Sequence, residues 1–119
     1  MSLKLRLLAL LALAACQKTT HTVRYEVDGT AARVRVTYRN ATGALEERTD
    51  VTLPWQYEFS AETLDPLTVR VFNPTEAGAV RCRILIDGEV FQEAESSGRL
   101  TTASCSGLLP IEPTPTPAP

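Results

Sequence analysis

Apolar and polar residues alternate with a period of two along most of this chain, the mark of strands buried on one face. Val23, Tyr25 and Val27 alternate with Arg24 and Glu26, and Ala32, Val34, Val36 and Tyr38 alternate with Arg33, Arg35 and Thr37. Asp28-Gly29 lies between these runs and reads as a turn, so the two are expected to form an antiparallel pair, apolar inward and Arg outward. The chain turns again through Asn40-Ala41-Thr42-Gly43, and a third strand is expected from Glu46 to Leu53. Pro54 cannot donate to a sheet ladder, so that strand must end, bulge or lie at an edge. Beyond it Trp55, Tyr57 and Phe59 share one face, expected as core against an opposing sheet, with a sugar or lipid platform as the alternative. Ser60 to Asp65 has room for one helical turn before Pro66, and Leu67, Val69 and Val71 mark the next strand.

The clearest local signal comes after Asn73-Pro74. Asp87-Gly88 stands between two apolar-rich runs, and a two-residue type I′ turn needs positive φ at both central positions. With that loop, Ile86 is expected opposite Glu89, Ile84 opposite Phe91 and Cys82 opposite Glu93. Val80, Cys82, Ile84 and Ile86 then form a core face with Phe91, while Arg81, Arg83, Gln92 and Ala94 face outward. Leu85 and Val90 make an apolar pair near the tip of that outer face, a candidate partner contact, with packing under a neighbouring loop as the alternative. Ser96-Ser97-Gly98 is the last turn and Leu100 to Cys105 the last strand. About seven short strands, turns every 8 to 12 residues and no convincing helix make an all-β chain. An Ig-like antiparallel β-sandwich is the leading expectation, with a small antiparallel barrel as the alternative.

The ends differ from this middle. Lys4 and Arg6 precede an apolar run from Leu7 to Ala15, too short for a bilayer span of about 20 residues but suited to a secretory signal. It closes in Leu13-Ala14-Ala15-Cys16, which resembles the lipobox of bacterial lipoproteins, where that Cys is acylated and becomes the new N-terminus. An ordinary signal peptide with a chance Cys is the alternative. Residues 1–15 are thus expected as signal, 16–21 as lipidated Cys16 and tether, 22–107 as the folded domain and 108–119 as a Pro-rich tail. Five residues between Cys16 and Thr22 allow a tether of about 18 Å. Gln17 is not the Asp that marks inner-membrane retention, which favours an outer-facing location in the cell envelope.

Charge and cysteines narrow the function classes. The full chain carries net charge −2; with Lys4 and Arg6 removed, 10 basic and 14 acidic residues leave −4. The Arg residues are scattered among the strands, without the basic stripe of a nucleic-acid binder. Of three Cys, Cys16 is assigned to lipid, so Cys82 and Cys105 remain as an even pair in an oxidising setting. One disulfide is expected, with two separate buried thiols as the alternative. If the last strand simply continued a meander, Cys82 and Cys105 would lie about 10 Å apart, too far to bond. The chain around Cys105 is therefore expected to leave the meander. The single His, His21, lies in the tether and is not expected to be held rigidly enough for acid–base work. Glu46-Glu47 and Glu93 with Glu95 read as solvent-facing charges. No metal-ligand spacing, calcium loop or Gly-rich phosphate loop is present, so no metal, cofactor or catalytic site is expected.

Tyr25-Glu26-Val27, Val36-Thr37-Tyr38, Leu53-Pro54-Trp55, Cys82-Arg83-Ile84 with Ile86-Asp87-Gly88-Glu89-Val90, and Cys105-Ser106-Gly107 together resemble the MmpS family. These are small membrane-associated accessory proteins of mycobacteria that work with RND-type transporters exporting lipids and siderophores. The resemblance covers Thr22 to Gly107 and implies an Ig-like or related sandwich facing the periplasm. It also implies a non-enzymatic accessory role in an envelope export system, with an RND-type transporter as partner. The lipobox departs from the single-pass anchor of the mycobacterial members. The alternative function is an autonomous envelope binding module for a small ligand, a hydrolase or cell-wall material.

Overall fold

The computed structural model describes residues 19–111. Among them the alternation is realised as eight strands: β1 (Thr20–Gly29), β2 (Val34–Arg39), β3 (Leu45–Val51), β4 (Trp55–Glu62), β5 (Pro66–Phe72), β6 (Ala79–Ile86), β7 (Glu89–Ser97) and β8 (Thr102–Leu108). They form two four-stranded antiparallel sheets, ordered β4-β1-β6-β7 and β3-β2-β5-β8. The sheets pack face to face as a β-sandwich, as expected. Both sheets keep their edge strands, so the barrel alternative is set aside.

The four inner strands carry the core. Val23, Tyr25 and Val27 of β1, Val34, Val36 and Tyr38 of β2, Leu67, Val69 and Val71 of β5, and Val80, Cys82 and Ile84 of β6 are all at most 1% exposed. Full burial of such an aliphatic side chain stabilises by about 1.5–3 kcal/mol. Trp55, Tyr57 and Phe59 line the inner face of edge strand β4 and are half-buried against this core. Their rings stack into it rather than forming an open platform: Tyr38 lies 5.0 Å from Trp55 and 4.8 Å from Tyr57, and Tyr25 lies 5.1 Å from Phe59.

Only β2–β3 and β6–β7 are joined within one sheet; every other connection crosses between sheets. The pairing expected across Asp28-Gly29 is corrected accordingly, since β1 and β2 lie in different sheets. Gly29, at φ +142°, passes so close to β6 that a Cβ there would stand 2.1 Å from the carbonyl oxygen of Ala79. That oxygen accepts hydrogen bonds from Thr30 N (3.0 Å) and Ala31 N (3.3 Å), steering the chain out of the first sheet. Ala31 takes the buried place expected for Ala32, which is exposed.

Tyr25 ties the sheets together. The β2–β5 ladder runs to Tyr38 opposite Val69, and at the next step the hydroxyl of Tyr25 enters from the other sheet. It donates to Arg39 O at 2.8 Å and accepts from Thr68 N at 3.3 Å. Burial pushes its pKa up to about 12.

The hairpin forms as expected at its tip, with Asp87 at φ 51° and Gly88 at φ 85°. Ile86 pairs with Glu89 and Leu85 with Val90, but Ile84 then pairs with Gln92 and Cys82 with Ala94. Phe91 is the extra residue of a β-bulge, which corrects the expected register by one. Freed from a partner on β6, its ring lies on Gly107 of β8, where an added Cβ would come within 2.9 Å of it. This contact closes the β7–β8 side of the sandwich. Two smaller expectations also change. The helical turn over Ser60 to Asp65 is instead the end of β4 and a turn in which Glu62 N donates to Asp65 Oδ2 at 2.8 Å. The last strand, β8, runs to Leu108, and the fully buried Leu109 follows it.

Candidate functional site

Two places in this fold gather the chemistry-bearing residues: the end where the chain enters the sandwich, and the outer face of the β4-β1-β6-β7 sheet. At the entering end His21 is not part of a loose tether. It lies in β1 opposite Ala61, and its Nδ1 meets Asp87 Oδ2 at 2.5 Å. Asp87 also accepts from Thr22 N (3.0 Å) and donates its own N–H to Thr22 O (2.8 Å). The His21 hydrogen bond, reinforced by that of Thr22 N, holds the Asp87 carboxyl below the usual carboxylate range. Among the described residues, His21 Nε2 is buried without a hydrogen-bond partner. The pair latches the β6–β7 tip onto the first residues of β1.

On the outer face, charges interlock. Asp28 accepts from Arg81 Nε and Nη2, both at 2.9 Å, and from Arg83 Nη2 at 3.2 Å. Arg83 lies 3.7 Å from Glu26 and 3.5 Å from Glu93, and Arg24 pairs with Glu26 at 3.0 Å. Bonding to Arg81 outweighs partial burial and holds the Asp28 carboxyl low. Bidentate Arg–carboxylate geometry of this kind fixes side chains rather than leaving a single-sign field for a polyanion. Beside the network, Pro54, Trp55 and Gln56 of the β4 edge and Glu26, Val27 and Asp28 of β1 border a shallow depression of about 430 Å³. Glu46 and Glu47 are likewise engaged, with Asn40 Nδ2 at 3.1 Å and Arg35 at 3.9 Å.

Cys82 and Cys105 are brought together from opposite sheets. The chain around Cys105 does leave the meander, since β8 pairs with β5 and not with β7. Both thiols are buried, and Cys105 Sγ lies 3.2 Å from Cys82 O. A hydrogen bond from Cys105 together with burial pushes the Cys82 thiol up. The tip pair is divided by contrast. Leu85 lies between Arg24 and Val90 across the sheet and is 7% exposed, whereas Val90 is 53% exposed. Val90 alone presents apolar surface there. Cys16 and the Pro-rich segment from 112 onward lie outside the described residues.

Two asparagines escaped the reading of the sequence. Asn73, fully buried, accepts from Thr75 N (2.9 Å) and Thr75 Oγ1 (2.5 Å) and donates to Ala77 O (3.0 Å) and Gly98 O (3.4 Å). Asn40 accepts from Thr42 N, Thr42 Oγ1 and Ala44 N in the same way. The shared Asn-x-Thr spacing is the signature of an Asx-turn.

Among the described residues, no group of three or more His, Cys, Asp or Glu side chains is placed to hold a metal ion. No helix there is long and apolar enough to cross a membrane. Comparison with known proteins gives one family, described as "Mycobacterium membrane protein", which matches residues 14–107. Curated relatives include the "Probable transport accessory protein MmpS2" of Mycobacterium bovis and of Mycobacterium tuberculosis. Each is 28% identical over 83 residues, covering 70% of this chain and 57% of the relative. The chain thus spans little more than half the length of the curated relatives it matches.

Proposed function

Because this chain belongs to the family of Mycobacterium membrane proteins, the MmpS family, we propose that it is a non-enzymatic accessory protein of an envelope export system. It would work beside an RND-type transporter, held to the membrane through an acylated Cys16. The observation that carries this reading is the extent of the family match, which runs from before β1 to the penultimate residue of β8. The name of the similar MmpS2 proteins, transport accessory, supports the same role. The outer face of the first sheet fits an adaptor, since its charged groups engage one another instead of converging on a reacting atom.

The anchor and the fold work together in this reading. Only residues 17–19 separate Cys16 from the first residue of β1, a leash of about 14 Å at most over four residue steps. So short a leash confines the sandwich to the membrane surface and raises its effective concentration toward a membrane-embedded partner. Val90, at the hairpin tip beside that leash, is the apolar contact offered to it. Cys82 and Cys105, facing each other between the sheets, are the pair that an oxidising compartment would join as a disulfide.

Two measurements test the reading. Wild type is expected in the detergent phase on phase partitioning and Cys16→Ser in the aqueous phase; equal partitioning would end the lipid-anchor assignment. Affinity purification from detergent-solubilised membranes is expected to bring down an RND-type permease, with lower yield when Val90→Glu is combined with twenty Gly/Ser residues inserted after Gln17. Recovery of a soluble ligand or a hydrolase instead of a permease would favour the second reading, an autonomous binding module. The depression beside Trp55 speaks for that module.

A further inference from the structure

Among the described residues, six large aliphatic side chains are more than half exposed: Leu45, Leu64, Val90, Leu100, Leu108 and Ile111. Their placement is uneven. The turn bearing Leu64 receives the chain entering the sandwich, since Thr63 N donates to Thr19 O at 3.1 Å. The same turn receives the end of β8: Leu64 N donates to Leu109 O (2.8 Å) and Leu109 N to Asp65 O (2.9 Å), so Leu108 and Ile111 lie beside it. The hairpin tip below Val90 is latched to Thr22 and His21 of the first strand. Leu45 starts β3 opposite Arg39, at the turn whose Asn40, Ala41, Thr42 and Gly43 share a depression of about 220 Å³ with Asp65 and Pro66. Five of the six therefore crown one end of the sandwich, the end where the chain arrives from Cys16. Only Leu100 lies at the other end, in the β7–β8 connection.

We propose that this crown is a lipid-contacting face, on which the domain rests its entering end upon the interfacial layer of the bilayer. The inference rests on the membrane-held reading above and adds to it an orientation: strands standing on the membrane rather than lying along it. Three observations choose a lipid surface over a protein pocket. The crown is wholly aliphatic, whereas protein hot spots favour Trp, Tyr and Arg. Its members are drawn from several turns and strand ends at one end of the sandwich, suiting a fluid surface that adapts to each, rather than from one strand or turn shaped for one partner. Cys16, assigned to the lipid anchor, precedes this end by only a few residues. Glu62, Asp65, Asp87 and Glu89 share the same end, so contact is expected with zwitterionic headgroups and without help from anionic lipid.

The test uses the full acylated chain reconstituted in phosphatidylcholine vesicles. Leu64→Cys, Leu108→Cys and Leu100→Cys variants are labelled separately with an environment-sensitive maleimide, the other cysteines being buried or acylated. Labels at 64 and 108 should shift to the blue and be quenched at least about twofold by lipids brominated on the acyl chain, as expected of side chains about 5–10 Å into the headgroup–acyl boundary. The label at 100 should behave as in water, and added phosphatidylglycerol should not deepen the quenching. Should the vesicles float with the protein while all three labels stay in water, the crown does not touch lipid and the anchor reading stands. A blue shift without bromine quenching would mean that protein, such as a second copy, covers the crown, and would equally overturn the proposal. Failure to float would remove the anchor and this inference with it. Where a labelled variant does not fold, hydrogen exchange of the unsubstituted chain gives the same answer: the turns at 40–44 and 63–65 exchange more slowly on vesicles than in their absence, whereas unchanged exchange overturns the proposal.

Discussion

Tyr25→Phe isolates the seam between the sheets. The substitution keeps the buried ring and removes one oxygen, which donates to Arg39 O and accepts from Thr68 N. Each unsatisfied buried backbone group costs about 1–3 kcal/mol. Arg39 and Thr68 stand opposite each other one step beyond the last β2–β5 pair, so partial closure onto each other recovers some of that loss. The net destabilisation is expected near the low end, about 2 kcal/mol. With a urea slope of about 1–3 kcal/mol/M, the unfolding midpoint of the detergent-solubilised chain should fall by about 1 M at unchanged slope. The hydroxyl also sets an alkaline signature. Its folded pKa of about 12 lies above the ordinary 10.0, so the associated stability is complete below pH 10 and is lost as pH rises through 12. Two pKa units correspond to about 3 kcal/mol. The alkaline limb should therefore be shallower in Tyr25→Phe than in wild type. An unchanged midpoint at neutral pH, or an alkaline limb identical to that of wild type, would refute the seam.

Three further outcomes follow from the geometry. Asn73→Ala removes four hydrogen bonds from a buried position and should cost about 2–3 kcal/mol by urea unfolding; a loss below about 0.5 kcal/mol would be an ordinary surface effect. Asp28 is held below its ordinary pKa by Arg81 and Arg83, so its contribution is present above that value and lost as pH falls through the lowered one. The acid limb of the stability profile should therefore be shallower in Asp28→Asn, and an identical limb would contradict the assignment. A Cys82–Cys105 bond would close a loop with sequence separation 23 and add about 3 kcal/mol. Intact mass under non-reducing conditions should then be lower by two hydrogens, and two free thiols in exported protein would exclude the bond.

The strands were legible because a period of two survives in every one of the inner four, from Val23 to Ile84. Their partners were less so. Asp28-Gly29 and Asp87-Gly88 are the same dipeptide, yet one leaves its sheet and the other reverses within it. The difference lies in Ala79 O, a carbonyl fifty residues away in sequence that captures Thr30 N and Ala31 N. Local spacing carries no trace of that contact. The bulge at Phe91 was hidden for a related reason: an aromatic suits either the core opposite Ile84 or the flat surface of Gly107. At the candidate site, His21 read as tether because it lies near Cys16, although the β-branched Thr20 and Thr22 around it were a strand signal. Leu85 looked exposed by parity alone; its place between Arg24 and Val90, where the aliphatic stem of an Arg can cover a neighbour, needed the register.

The crossing connections also bear on how this chain reaches its native state. β1 is flanked by β4 and β6, with Thr20 opposite Glu62 and Val23 opposite Ile86, so the first strand synthesised waits for the fourth and the sixth. Such non-local pairing has to meet the entropy of closing long loops before any contact rewards it, and folding of such topologies takes about milliseconds to seconds. For a chain exported as proposed above, that delay is useful. A nascent segment of β1 to β3 can hold the β2–β3 hairpin but neither complete sheet, so the chain remains threadable until its second half has emerged. The same delay leaves Val23, Tyr25 and Val27 uncovered in the meantime, which makes the interval before β6 arrives the one in which aggregation competes with folding.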